Sequence, residues 1–171
     1  CNYVHLPVQS GINAILKKMN RQHTREEYFE LIDNIRKIIP GCGISQDMIA
    51  GFPTETEEDH QDTLNLLKYV KYDYGFIYSY SERPGTHAAR KIADDIPEPT
   101  KKRRLQEIIA LQREHSELRT KANIGKTFCV LIEKSSKKSD EFWIGRTGQN
   151  TVAVFPKENY QVGEFVDVKI D

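Results

Sequence analysis

Cysteine is scarce in this 171-residue chain: Cys1, Cys42 and Cys129 are far apart and odd in number. That excludes a disulfide framework and a closely spaced thiolate metal site, and it suits a reducing cytoplasm, the expected compartment. Long apolar runs are missing as well. None reaches membrane-spanning length and no signal-peptide pattern is present, so no membrane partner is expected. Neither charge dominates: Lys plus Arg and Asp plus Glu each number 25, and net charge by itself leaves no nucleic-acid footprint. The histidines His5, His23, His60, His87 and His115 are scattered without metal-ligand spacing and read as ordinary side chains.

What is present is pattern. Residues 2–8 read as a short strand and 13–20 as one or two helical turns. Thr24 and Glu27 form a capping box that opens a helix with Tyr28, Leu31, Ile32, Ile35, Ile38 and Ile39 at helical spacing, ended by Pro40-Gly41. A strand over 44–51 follows. A second capping box is expected at Thr54 and Glu57, with Leu64, Leu67, Tyr69 and Val70 of the next helix turned to the core. Residues 72–81 form a third strand, on which Tyr78 and Tyr80 alternate with Ser79 and Ser81. This rhythm predicts parallel βαβ units, in a barrel or an open sheet. After a linker at 94–100, a helix over about 100–122 carries Leu105, Ile108, Ile109, Leu111 and Leu118 as its apolar stripe. Short strands at 127–133, 142–146, 152–155 and 165–170 then suggest a small OB-like barrel. The chain starts in one strand pattern and stops just after another, so both ends look cut and a longer protein is expected.

The stretch from Ile44 to Thr56 concentrates the chemistry. A buried strand interrupted by Asp47 breaks at Gly51-Phe52-Pro53 into a helix start, where α/β folds place ligands. Asp47 needs a polar partner or ligand. Glu55 reads as a helix-start acid favoured by the dipole. Lys101, Lys102, Arg103 and Arg104 read as the solvated face of a helix. Trp143 and Phe142 interleave with Lys138 and Arg146, a composition suited to stacking on bases and neutralising phosphates, although a core role for Trp143 is equally compatible.

Gln9-Ser10-Gly11, Arg21, the run from Asp47 through Ile49 and Gly51-Phe52-Pro53 to Thr56, and Tyr80-Ser81-Glu82-Arg83-Pro84-Gly85-Thr86 resemble in combination and order the radical S-adenosylmethionine (SAM) methylthiotransferases. Gly145-Arg146-Thr147 and Gly163 resemble the family's RNA-binding TRAM module. The resemblance implies an α/β fold with the second half of a radical SAM (β/α) barrel at 1–97, a connecting helix at 98–123 and a TRAM-like β-barrel at 124–171. It further implies a SAM site at Gln9, Arg21, Asp47, Ile49, Gly51, Phe52 and Pro53, and substrate or RNA contacts at Tyr80, Ser81, Arg83, Trp143 and Arg146. Arg83-Pro84-Gly85-Thr86 favours the branch acting on isopentenylated adenosine beside the tRNA anticodon. The ribosomal-protein branch and a non-catalytic RNA-binding module stay open as alternatives. Two 4Fe–4S clusters and a flavodoxin-type electron donor are implied for the whole enzyme. The Cys-x-x-x-Cys-x-x-Cys ligand motif is not in this chain, so the chain alone is expected to be inactive. Thr54 departs from the family, which usually has glycine there.

Overall fold

A computed structural model describes residues 1–171. The first layer is a parallel sheet in the order β1 (Tyr3–His5), β2 (Gly43–Ala50), β3 (Tyr74–Ser79). Its connections carry α1 (Asn13–Lys18), α2 (Arg25–Ile38) and α3 (Glu57–Val70). Ile44, Met48 and Ala50 of β2 bury against Tyr28 and Ile32 of α2, and against Leu64, Leu66, Leu67 and Val70 of α3. Each fully buried aliphatic side chain in such a core stabilises it by about 1.5–3 kcal/mol. On the other face, the register aligns His5 with Ser45, Asp47 with Phe76, and Ile49 with Tyr78. Tyr74, Phe76 and Tyr78 remain exposed there.

The capping box at Thr24 and Glu27 forms as expected. The second one does not sit at Thr54 and Glu57. It is made by Thr56 and Asp59, because Thr54 has φ +71° and cannot take the extended conformation of an N-cap, which Thr56 has. Tyr69 is not a core residue either. It lies on the surface, stacked at 4.5 Å against Phe29 with its hydroxyl donating to Asp33 at 2.7 Å.

A short helix, α4 (His87–Lys91), precedes the long α5 (Glu98–Lys121). The buried stripe of α5 is Lys101, Arg104, Ile108, Gln112 and His115. Leu118, expected in the stripe, is exposed, while Leu105 and Leu111 only flank the core. Lys101 and Arg104 are therefore not on a solvated face; only Lys102 and Arg103 of that basic run are exposed. An inward stripe so polar must meet polar partners, since a buried unpaired charge is strongly unfavourable.

The second layer is an antiparallel sheet in the order β6 (Val152–Pro156), β5 (Phe142–Thr147), β4 (Thr127–Ser135), β7 (Phe165–Lys169). A bulge between Ile132 and Lys134 helps it curl around Val130, Ile132, Ala153, Phe155 and Val166. β6 and β7 are its edges. The β5–β6 turn docks on the starts of β1 and β2: the Asn2 amide donates to the Gly148 carbonyl at 2.7 Å, and the Gln149 side chain donates to the Gly41 carbonyl. Arg119, near the end of α5, pairs with Asp73 at 2.9 Å just before β3.

Candidate functional site

A cleft of about 890 Å³ opens at the C-terminal ends of β2 and β3. Gln9, Arg21, Asp47, Ile49, Phe52, Tyr80, Ser81 and Arg83 all line it. These residues come from four separate parts of the chain, so their convergence is a product of the fold. Gln9 is stitched to β2: its amide donates to the Asp47 carbonyl at 2.9 Å, and its carbonyl accepts from the Ile49 amide at 3.0 Å. Those two bonds hold Gln9 at φ +70°, a conformation uncommon outside glycine. Arg21 follows the last turn of α1, with its backbone amide donating to the Leu16 carbonyl, and lines the cleft.

Asp47 has a partner that sequence reading missed. His5 Nε2 lies 3.4 Å from Asp47 Oδ1, and His5 Nδ1 lies 2.7 Å from Ser45 Oγ, which also meets the Tyr3 hydroxyl. His5 is thus not an ordinary surface histidine. Only the parallel register of β1 on β2 brings it beside Asp47, and no local pattern encodes that register. The regular alternation of β3 ends at Ser79, and both Tyr80 and Ser81 then reach the cleft. Tyr80 meets the edge of Phe52 at a centroid distance of 5.1 Å. Gly51 and Pro53 do not line the cleft. They are buried behind it and shape the turn that presents Phe52.

Glu55 holds that turn closed. Its Oε2 accepts from the Gly51 amide at 2.7 Å and from the Phe52 amide at 3.1 Å. It is 6% exposed and precedes the N-cap Thr56, so it is a buried clamp of the turn rather than the helix-start acid expected. Arg104 donates to the Glu55 carbonyl at 2.9 Å and lies 3.7 Å from the carboxylate. His60, fully buried, sits between Glu55 at 3.8 Å and Glu107 at 2.6 Å, a second histidine with a specific partner. Burial pushes the Glu55 carboxyl up, against the opposing pull of Arg104 and the two amides.

Exposed Glu57 behaves in the opposite way: hydrogen bonds from Arg103, with a further one from Arg104, hold its carboxyl down at about 2. A carboxyl depressed in the folded state contributes stability above its ordinary value and loses it as pH falls toward 2. Glu55, whose carboxyl burial pushes in the opposite direction, adds nothing to that loss. Acidification from pH 4.5 to 2.5 is therefore expected to lower the melting temperature, and less steeply in Arg103→Gln. Equal slopes in thermal unfolding monitored by circular dichroism would remove the Arg103–Glu57 pair from the account.

The remaining expected RNA contacts lie elsewhere. Trp143 packs against the core of the antiparallel sheet, with Lys157 Nζ 4.3 Å from its ring centroid. Arg146 is exposed, paired with Glu133 at 3.2 Å and with the Asn150 side chain at 2.9 Å. It borders a second basin of about 560 Å³ between β3, the end of α5 and the β5–β6 turn. Tyr74, at the start of β3, borders that basin, and Ser79, at the strand's end, borders the cleft. The two sites therefore occupy opposite ends of one strand.

A bound SAM can be tested against these residues. Asp47 is an acceptor for ribose hydroxyls or an ammonium, and Arg21 a fork for a carboxylate. Gln9 offers a donor and an acceptor, while Ile49 and Phe52 form an apolar shelf for an aromatic base. They fit. No group of three or more His, Cys, Asp or Glu side chains in the chain is arranged to hold a metal ion.

Residues 1–67 match the family model of the radical SAM superfamily, and residues 121–171 match that of the TRAM domain. The chain is 70% identical over 170 residues to a protein of Christiangramia forsetii named tRNA-2-methylthio-N(6)-dimethylallyladenosine synthase. It is 62% identical to a protein of the same name in Flavobacterium johnsoniae, and 54% to one in Parabacteroides distasonis. Each alignment covers 99% of this chain, and the chain spans 35% of the first two relatives and 37% of the third.

Proposed function

We infer that this chain belongs to the radical SAM methylthiotransferases and provides part of the SAM site and the RNA-binding module of a longer tRNA-modifying enzyme. The reaction we assign to that enzyme is 2-methylthiolation of isopentenylated adenosine beside the anticodon. The observation that carries this reading is the convergence of Gln9, Arg21, Asp47, Ile49 and Phe52 with Tyr80, Ser81 and Arg83 in a single cleft. Identity of up to 70% to relatives carrying the synthase name supports the same branch. The domains follow as residues 1–97 for part of a (β/α) barrel, 98–123 for the connecting helix and 124–171 for the TRAM module. We take that module as an OB-like barrel and the enzyme as cytoplasmic.

Within this reading, SAM and two 4Fe–4S clusters supply the radical and sulfur-transfer chemistry, with electrons from a flavodoxin-type donor. The residues of this chain bind and orient. Asp47, steadied by His5, accepts hydrogen bonds from the cofactor. Arg21 and Gln9 fix its polar groups, and Ile49 and Phe52 cover its base. Gly51 and Pro53 act through the shape of the turn. Tyr80, Ser81 and Arg83 form the side of the cleft through which a nucleoside enters, with Arg83 available to a phosphate. Arg146 contributes charge to RNA held on the module, while Trp143 supports its fold. No cluster ligand is assigned to this chain.

In the full-length protein, Asp47→Ala and Arg21→Ala are each expected to weaken SAM binding by about 10- to 100-fold, the loss of one charge-assisted hydrogen bond worth ~1.5–3 kcal/mol. Calorimetric titration with SAM checks this, and wild-type affinity in both variants would remove the assigned roles. The substrate is read from nucleoside digests of tRNA treated with the full-length enzyme. Unmodified isopentenyladenosine alongside a methylthiolated ribosomal protein would transfer the chain to the sister activity.

A further inference from the structure

The polar inward stripe of α5 needs an explanation that neither a hydrophobic core nor an RNA-binding face supplies. Its first half meets the cleft from behind. Arg104, 4% exposed, donates to the Glu55 carbonyl and faces the carboxylate that clamps the Gly51 and Phe52 amides. One turn earlier, Lys101 lays its aliphatic stem against Gly51 so closely that a Cβ on that glycine would lie 2.5 Å from Lys101 Cγ. The Lys101 ammonium is tied to Asp94 at 2.6 Å and Glu98 at 2.8 Å, and lies 5.7 Å from the Tyr80 ring centroid. Asp95, in the segment leading into α5, accepts from the Thr54 amide at 2.7 Å. That bond anchors the one turn residue forced into a left-handed conformation without being glycine.

We propose that α5 is the positioning element of the cofactor-facing turn, with Arg104 its principal positioning residue and Lys101 fixing the distance between the turn and Tyr80. The proposal rests on the SAM reading of the cleft. Arg104 makes no hydrogen bond or ion pair with a residue lining the cleft and acts through Glu55, whose two hydrogen bonds set where Phe52 projects. A shelf displaced by a fraction of an ångström no longer matches a planar base, and binding falls steeply with such misplacement. Arginine is suited to the position because its fork reaches the Glu55 carbonyl with one nitrogen and Glu57 at 3.2 Å with the other.

The test uses the full-length protein and SAM titration, with tRNA affinity measured in parallel. Arg104→Met is expected to weaken SAM binding about tenfold while tRNA affinity stays within about twofold of wild type, and Arg104→Lys to recover part of the loss. Arg103→Gln, one residue away and outside the turn, is the control expected to bind SAM normally. A purely structural arginine would shift SAM and tRNA affinity together, which overturns the proposal. If Arg104→Met does not accumulate, Arg104→Lys decides, since wild-type SAM affinity there also overturns it. Asp47→Ala separates the two levels. Weakened SAM binding in Asp47→Ala with none in the Arg104 variants defeats the positioning role alone, whereas unaltered binding in Asp47→Ala and Arg21→Ala defeats the site reading beneath it.

Discussion

Gly51→Ala is expected to destabilise the protein by about 2–4 kcal/mol and, in the full-length protein and on the SAM reading proposed for the cleft, to abolish most SAM affinity. Two costs add at this position. Gly51 sits at φ +72°, where an L side chain is strained whatever space surrounds it. The new Cβ would also meet Lys101 at 2.5 Å from Cγ, 3.0 Å from Cβ and 3.2 Å from Cα. Lys101 cannot simply swing away, because its ammonium is held by Asp94 and Glu98 and its backbone lies in the first turn and a half of α5. Either α5 shifts or the turn does, and a shifted turn misplaces Phe52. Thermal unfolding with SAM titration reads both effects. A stable variant with wild-type affinity would show that the turn and α5 yield together, contrary to the rigid clamp described for Glu55.

Gly145→Ala is expected to unfold the antiparallel module selectively. Gly145 lies in β5 opposite Ile132, and a Cβ there would sit 2.4 Å from the Leu131 carbonyl oxygen and 2.5 Å from Val130 Cγ1. The first obstacle is backbone of β4, the strand bonded to both β5 and β7, so relief requires opening the ladder. A core of five buried side chains has little reserve against a loss of about 2–4 kcal/mol. Trp143 is the chain's single tryptophan and packs on that core, so its fluorescence reports this module alone. The midpoint followed by Trp143 should fall well below that of the α/β layer followed by far-ultraviolet circular dichroism, and tRNA affinity of the full-length protein should fall with it. An unmoved Trp143 transition would mean that β4 accommodates the methyl group.

Local order was readable in the chain because it is encoded locally. The capping box at Thr24 and Glu27, the apolar spacing of α2 and the alternation in the short strands each need only neighbouring residues. Where two local signals compete, spacing alone does not decide between them. Thr54 and Glu57 satisfy the capping pattern as well as Thr56 and Asp59 do, and the sharp turn after Pro53 decides between them. In α5 the deciding partners lie outside the pattern. An apolar stripe and a basic run both looked conventional, yet the helix rotates its polar face inward because Glu55, Glu57, Asp94 and Glu98 wait there. Glu98 lies within the helix and Asp94 just before it, but nothing in the 24 residues of α5 announces Glu55 and Glu57, which come from another part of the chain.

The sequence by itself determined the alternation of strands and helices, the change to an all-β module and the presence of a carboxylate at Asp47 in an otherwise apolar strand. Those depend on residue type and short-range spacing; the rest of the cleft's residues were implied only by the family resemblance. Only the tertiary structure decided that His5 accompanies Asp47, that Glu55 closes the turn and that Arg104 and Lys101 support it from behind. Each of these pairings depends on strand register or helix rotation, which are set by the burial of whole faces rather than by any one residue. The Asp47 carboxylate, a charge in an apolar strand, needs a partner on sequence grounds alone, and the fold supplies that partner from a neighbouring strand more than forty residues away along the chain, at 3.4 Å.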